Sequence, residues 1–287
     1  MTRVRLGAFQ FDVRRGDVEG NLRRVESGLR EAADRGLELV LLPEMWPTSF
    51  VDLDELETRW LPETVAALER VRELSRELDL LVGGSAFAAH PAGGAPTNRF
   101  VLHDRGEELL RYDKVHLFSP TAETESFQGG LEPPATVATR VGSVSACVCY
   151  DLRFASLLRV PFLEEAELIL VPAQWPTPRA PHWRALVLGR AVECQAIVLA
   201  CNRTGTDVVG RRRLELDFPG NSFLVGPHGD VLAEGRGQEG LVEAVADLSD
   251  VRRLRRRVPV RKDDRDSLYR EWGPGRDRGS GTGSASP

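Results

Sequence analysis

Apolar residues arrive along this chain in two alternating rhythms. Residues 4–11 read as an extended apolar run, and Leu22, Val25, Leu29 and Ala32 then recur at three- and four-residue spacing, which puts them on one stripe of a helix. The pair of patterns returns with a short apolar strand at 37–42, a helix carrying Val65, Leu68, Val71 and Leu74, and strands at 80–87 and 98–103. Further on, a strand at 141–149 leads into a helix over 154–165, followed by a strand at 168–171, a helix at 183–195 and a strand at 196–202. Strands and helices in this order predict an α/β layered fold, with helices covering sheet faces. Beyond Pro219 the helical spacing lapses. Short strands at 221–225 and 241–245 flank the turn Pro227-His228-Gly229-Asp230. Residues 273–287 are rich in Gly and Ser and predict a disordered tail, leaving 1–272 as one expected domain without internal repeats.

Composition narrows the partners. At 287 residues, 41% hydrophobic and 28% charged, the chain can bury a sizeable core, and a net charge of -5 offers no reason to expect nucleic acid or an anionic membrane. A small molecule is the expected partner. No apolar stretch approaches the roughly 18 residues of a membrane helix, and the opening Met1-Thr2-Arg3-Val4-Arg5 lacks the apolar region of a signal peptide, so a cytoplasmic location is expected. Four cysteines in such a chain make no disulfide framework. Of 38 basic residues only Lys114 and Lys262 are lysines, so a lysine retained inside a motif-like segment is a candidate for chemistry that guanidinium cannot perform.

Three segments carry such chemistry. Val144-Ser145-Ala146-Cys147-Val148-Cys149-Tyr150-Asp151 places Cys149 where an apolar strand ends and a helix begins, a position that holds a nucleophile rigidly and favours its thiolate through the helix dipole. The alternative is a buried small hydrophobe. Cys147, two positions earlier, would share a strand face with it, but no second cysteine pair stands at metal-ligand spacing, and Cys194 and Cys201 read as core. Leu42-Pro43-Glu44-Met45-Trp46 embeds a carboxylate among apolar neighbours, which suits Glu44 to proton transfer. Tyr112-Asp113-Lys114-Val115-His116-Leu117-Phe118 sets the rare lysine among aromatic and aliphatic residues.

Together these blocks, in this order, resemble the nitrilase superfamily of carbon–nitrogen hydrolases over about residues 4–269. The resemblance implies a four-layer α-β-β-α sandwich that pairs into a homodimer. It implies a Glu44, Lys114 and Cys149 triad, with Lys114 and the Tyr150 backbone amide as oxyanion donors and no metal or organic cofactor. A second family glutamate falls on Glu123, with Glu125 competing for the place. The segments at 172–183, 190–195 and 201–205 look most like the omega-amidases, which hydrolyse the terminal amide of 2-oxoglutaramate and 2-oxosuccinamate. A deaminated-glutathione amidase or an N-carbamoyl amine hydrolase is the alternative. A carboxylated substrate needs a cationic partner, for which Arg153 and Arg179 are candidates beside Trp175. Ala155 and Cys194 depart from the family pattern at positions expected near the pocket walls.

Two strings point elsewhere. Gly235-Arg236-Gly237-Gln238-Glu239-Gly240 spells a dinucleotide-binding pattern but precedes a strand, so it reads as a hairpin turn. The basic run at 252–257 could make a nucleic-acid-binding module, and reads instead as one solvated helix face after a Ser249-Asp250 cap. No G-x-S-x-G string supports a serine hydrolase.

Overall fold

In the computed structural model, which describes residues 2–90, 93–121, 123–209 and 213–272, two six-stranded sheets lie face to face with helices on their outer surfaces. The tail expected at 273–287 lies outside the described residues. The first half of the chain runs β1 (Arg3–Gln10), α1 (Val18–Asp34), β2 (Leu39–Leu41), α2 (Leu61–Glu77), β3 (Leu81–Ala88), β4 (Thr97–Asp104) and β5 (Glu107–Asp113). The second continues with the single turn α3 (Glu123–Ser126), β6 (Val137–Thr139), β7 (Gly142–Ala146), α4 (Ala155–Leu163), β8 (Leu168–Ala173), α5 (Ala180–Cys194) and β9 (Ile197–Asn202). An antiparallel ribbon of β10 (Thr204–Val209) and β11 (Leu214–Pro219) follows, then β12 (Phe223–Val225), β13 (Val231–Glu234), β14 (Gly240–Asp247) and α6 (Leu248–Arg257).

The sheets are ordered β14-β1-β2-β3-β4-β5 and β13-β12-β9-β8-β7-β6. In each, three neighbouring strands are parallel and joined through helices, as a parallel pair requires. Period-two alternation explains the layering. In and beside β2, Leu39 and Leu41 point into the core shared by the two sheets, while Val40 and Leu42 point outward beneath α1 and α2. In β8 every residue is buried, between its neighbours β7 and β9 and against β2 and β3 of the first sheet. The α-β-β-α order expected from the family resemblance is the order observed.

Several local expectations change. The strand expected over 141–149 ends at Ala146, and Cys149 opens a short 3-10 turn. The ribbon β10–β11 was not anticipated: Leu214, Leu216 and Phe218 do alternate with Glu215 and Asp217 in β11, but β10 carries only Val208 and Val209 as large apolar residues. Residues 235–239 do not turn a hairpin: they carry the chain from β13 in one sheet to β14 in the other. Asp247, rather than Ser249-Asp250, caps α6, its carboxylate accepting from Ser249 N at 2.9 Å. The basic run is only partly solvated. Arg255 donates to the carbonyls of Glu165, Ala166, Cys194 and Gln195, which ties α6 to the end of α5. Among the described residues no helix is long and apolar enough to cross a membrane, and no group of three or more His, Cys, Asp or Glu could hold a metal ion.

The seat of α1 on β1 depends on one glycine. A Cβ at Gly28 would lie 2.6 Å from Cζ of Phe9, which is itself buried in that layer. Gly28→Leu should therefore cost about 1–3 kcal/mol of unfolding free energy through overpacking. Urea denaturation measures the loss, and Phe9→Ala in the same background should recover part of it; wild-type stability for Gly28→Leu would refute the contact's role.

Candidate active site

Three chain segments end at one rim, each just past the carboxyl end of a strand, the edge where open α/β sheets present their sites. Past β2, Leu42 N donates to Gly83 O at 2.7 Å, and Met45 and Trp46 donate to Ser85, so the loop bearing Glu44 is pinned to β3. Past β5, Lys114 N donates to Asn98 O and its carbonyl accepts from Gly130 N. Past β7, Cys149 takes φ +49° at the start of the turn Cys149–Arg153. A non-glycine residue in that region is strained, and it persists only where its surroundings hold it.

Asp151 does the holding. Its buried carboxylate accepts from Val148 N at 3.2 Å within its own turn. It also accepts from the Tyr112 hydroxyl at 2.8 Å and His116 N at 2.9 Å, with His116 Nδ1 at 2.8 Å. Tyr112 and His116 flank Lys114, so this one side chain clamps the lysine segment to the cysteine turn. The His116 ring stacks on Phe154 with centroids 3.6 Å apart and closes the clamp from outside.

The functional side chains converge inside this frame. Lys114 Nζ, 1% exposed, donates to Glu44 Oε1 at 2.8 Å and to both oxygens of Glu123 at 2.9 Å. Glu44 is fully buried and met by two further donors, Asn98 Nδ2 at 2.8 Å and Gln174 N at 2.9 Å. The apolar neighbours read from the sequence are present, but three hydrogen bonds reach the carboxylate. Glu123, buried, also accepts from Phe118 N at 2.6 Å, whereas Glu125 is exposed on the same turn. Of the two glutamates, Glu123 is the one that reaches Lys114.

The electrostatics follow from burying these charges together. Burial pulls Lys114 down, but Glu123 and Glu44 outweigh it and hold the ammonium well above the usual lysine range. Burial, reinforced by Glu44 and opposed by Lys114, pushes Glu123 up. Burial pushes the Cys149 thiol well up too, and Glu44 adds to it by charge and by a hydrogen bond, with only Lys114 and a backbone hydrogen bond at Gln174 pulling down. Burial and Glu44 thus act against the helix-dipole stabilisation of a thiolate expected from the sequence, and favour the Cys149 thiol. Cys147 does not share its face. It is sealed in the core with Cys194 and Arg190 as neighbours, and Cys194 and Cys201 are buried as expected.

Above the cysteine opens a cavity of about 380 Å³, lined by all the sequence-derived candidates: Glu44, Lys114, Glu123, Cys149, Tyr150, Arg153, Trp175 and Arg179. Arg153 lies over the Trp175 ring at 4.8 Å and meets His182 Nδ1 at 3.2 Å, while Arg179 lies over Phe118 at 5.0 Å. Among the described residues neither arginine has a carboxylate partner. Trp175 is held by its Nε1, which donates to Arg179 O at 2.8 Å, and by Asn202, which accepts from its backbone N at 2.7 Å. Ala155 and Cys194, expected near the pocket walls, do not line the cavity; Cys194 instead faces Leu158 O inside the helical layer.

Sequence reading passed over Asn98, Asp151, Gln174 and Arg203 as members of this site. Asn98 stands between Thr97 and Arg99 at the start of β4, and Gln174 follows the last residue of the apolar β8, so only their burial in the folded chain marks them.

A family model described as carbon-nitrogen hydrolase matches residues 5–256. The chain is 29% identical over 266 residues to a 2-oxoglutaramate amidase of Bacillus subtilis (strain 168), covering 92% of this chain and 98% of that relative. It is 35% identical over 245 residues to an omega-amidase of Yersinia enterocolitica, covering 85% and 90% respectively. Among solved structures, an amidase from Nesterenkonia sp. aligns with a TM-score of 0.81 at 26% identity over 95% of this chain and 97% of that one. A mutant of the amidase from Nesterenkonia sp. AN1 carries the acetamide moiety of fluoroacetamide covalently added at its active-site cysteine. With the fold, the strand-end site and these matches in agreement, the chain belongs to the carbon-nitrogen hydrolase family of the nitrilase superfamily, in its omega-amidase branch.

Proposed function

We propose that this chain hydrolyses the terminal carboxamide of a small carboxylated substrate, 2-oxoglutaramate or 2-oxosuccinamate, to the acid and ammonia through a thioester on Cys149. The observation that carries the reading is the Glu44 carboxylate, hydrogen-bonded to Lys114 at 2.8 Å and set against the Cys149 thiol on the floor of a cavity. The names of the two amidase relatives supply the substrate class.

An amide is a weak electrophile with a poor leaving group, so the reaction needs a strong nucleophile, charge stabilisation and a proton donor. Since Cys149 rests protonated, Glu44 takes its proton as sulfur attacks the carbonyl carbon. The oxygen of the tetrahedral intermediate then meets the Lys114 ammonium and the Tyr150 amide, one of the first amides of the turn, which have no partner within it. Glu44 returns the proton to the amide nitrogen, the carbon–nitrogen bond breaks and ammonia leaves. In the second half Glu44 takes a proton from water, the resulting hydroxide attacks the thioester carbonyl, and the carbon–sulfur bond breaks. The acid departs and the proton returns to Cys149, so the sum is amide plus water to acid plus ammonia. Glu123 keeps Lys114 cationic and aimed throughout.

The arginines give the substrate its polarity. Arg153 and Arg179 are stacked on aromatic rings instead of being neutralised, so a substrate carboxylate can claim them with charge-assisted hydrogen bonds. Trp175 forms the wall beneath the connecting carbons.

Two experiments test this reading. Ammonia release from 2-oxoglutaramate should vanish in Cys149→Ala and fall about 10²–10³-fold in Lys114→Arg, because guanidinium cannot place one short donor at the oxyanion; intact-mass spectra of quenched wild type should show the acyl adduct. Near-normal turnover by either variant would contradict the assigned roles. Second, Arg153→Ala and Arg179→Ala should raise KM for 2-oxoglutaramate by about tenfold or more, the scale of one lost charge-assisted bond, while leaving an uncharged amide such as propionamide unaffected. Unchanged KM in both variants would remove the arginines from substrate binding.

A further inference from the structure

Behind Glu44 lies a second buried cation that touches no reacting atom. Arg203, fully buried between β9 and β10, donates through Nη1 to Asp207 Oδ2 at 2.9 Å and through Nη2 to Asp12 Oδ1 at 3.0 Å. Gly205, at φ +85°, makes room for this pairing, since a Cβ there would fall 2.2 Å from Asp12 Oδ1. The same Nη1 reaches Gln174 Oε1 at 3.3 Å, and Ser49 Oγ, itself bonded to Asp207, lies 3.2 Å from that oxygen. A primary amide whose oxygen faces a guanidinium must turn its nitrogen the other way. Gln174 Nε2 accordingly donates to Glu44 O at 2.9 Å, and Gln174 N donates to Glu44 Oε2 at 2.9 Å. One residue therefore grips both the backbone and the carboxylate of Glu44, and Arg203 sets the orientation of that grip.

The other end of the network reaches the cavity wall. Asp207 belongs to β10, and Arg203 lies over the ring of Phe218 in β11 at 4.6 Å. Phe218, Leu216 and Val209 of this ribbon line the cavity.

We propose that Arg203 is a positioning residue: through Gln174 it sets Glu44 against Cys149, and through Asp207 it couples that setting to the ribbon that walls the substrate cavity. The inference rests on the reading of Glu44 as the acid and base of the reaction. It makes the substrate wall and the proton-transferring group one mechanical unit, so loosening the ribbon's ion pair disturbs chemistry before it disturbs binding. A cluster that only stabilises the fold would change the unfolding midpoint without selectively changing kcat.

Steady-state kinetics on 2-oxoglutaramate separate the cases, with each variant checked by circular dichroism and its urea midpoint. Asp207→Asn, which keeps shape and one acceptor, and Arg203→Lys should lower kcat about 10- to 100-fold, the scale of a small misplacement of a catalytic group. KM should stay within about threefold of wild type. Gln174→Ala, which leaves the ion pair in place, carries the same test if the charged variants unfold. Asp207→Asn combined with Gln174→Ala should lose no more than the worse single variant, because both act along one chain of contacts. Folded variants with kcat within about threefold of wild type, or losses that add in the double variant, would overturn the role of Arg203. Full turnover by Glu44→Gln would overturn instead the reading of Glu44 on which it rests.

Discussion

A lysine ammonium enclosed between two carboxylates, away from water, is the constraint on which the rest of this structure turns. Removing such ions from solvent costs several kcal/mol each, and only short, well-directed contacts offset that. Lys114, Glu44 and Glu123 make those contacts at 2.8–2.9 Å, and every remaining lone pair with a donor near it is met by a backbone or amide N–H. Rigidity follows. A cluster of this kind tolerates no slack, so the segments that carry it are themselves tied, the lysine segment to the cysteine turn by Asp151 and the glutamate loop to β3 and Gln174.

Burial, together with the same cluster, bears on the state of the nucleophile. Burial pushes the thiol of Cys149 up first, and the Glu44 carboxylate adds to it against the pull of the Lys114 ammonium. Sulfur therefore keeps its proton until a substrate arrives. This has a chemical benefit, because a resting thiol resists oxidation and stray alkylation better than a thiolate does. Activation is left to Glu44, whose carboxylate is held for the transfer in advance of any substrate.

The chain's division of labour between its two kinds of cation is equally physical. Arginine fills the structural places: Arg203 in its double ion pair, Arg255 across the carbonyls that end α5, and Arg99 clasping Asp113 just before Lys114. A planar fork with several donors suits fixed acceptors of this sort. Lys114, one of only two lysines, stands where a single compact donor must meet two carboxylates and leave room for a third oxygen.

How far the amino-acid order reaches can be seen in particular residues. Alternation of apolar positions placed the parallel strands and their helices, since burial on one or both faces writes itself directly into period two or 3.6. Local blocks marked Glu44, Lys114 and Cys149, because a lysine among aromatics or a carboxylate beside tryptophan is conspicuous in sequence, while Glu123 came only from the family resemblance. What only the folded chain decided is who meets whom. Asn98, Asp151, Gln174 and Arg203 bear on the site through contacts spanning 29 to 130 residues, and the protonation of Cys149 depends on charges from segments far away in the chain. The exclusion of Ala155 and Cys194 from the cavity wall could not be read locally, nor could the pairing of β11, whose own alternation is plain, with the weakly patterned β10. Hydrophobic periodicity is a property of neighbours along the chain, whereas electrostatic and hydrogen-bond environments are sums over neighbours in space, and those exist only once the sheets have closed on each other.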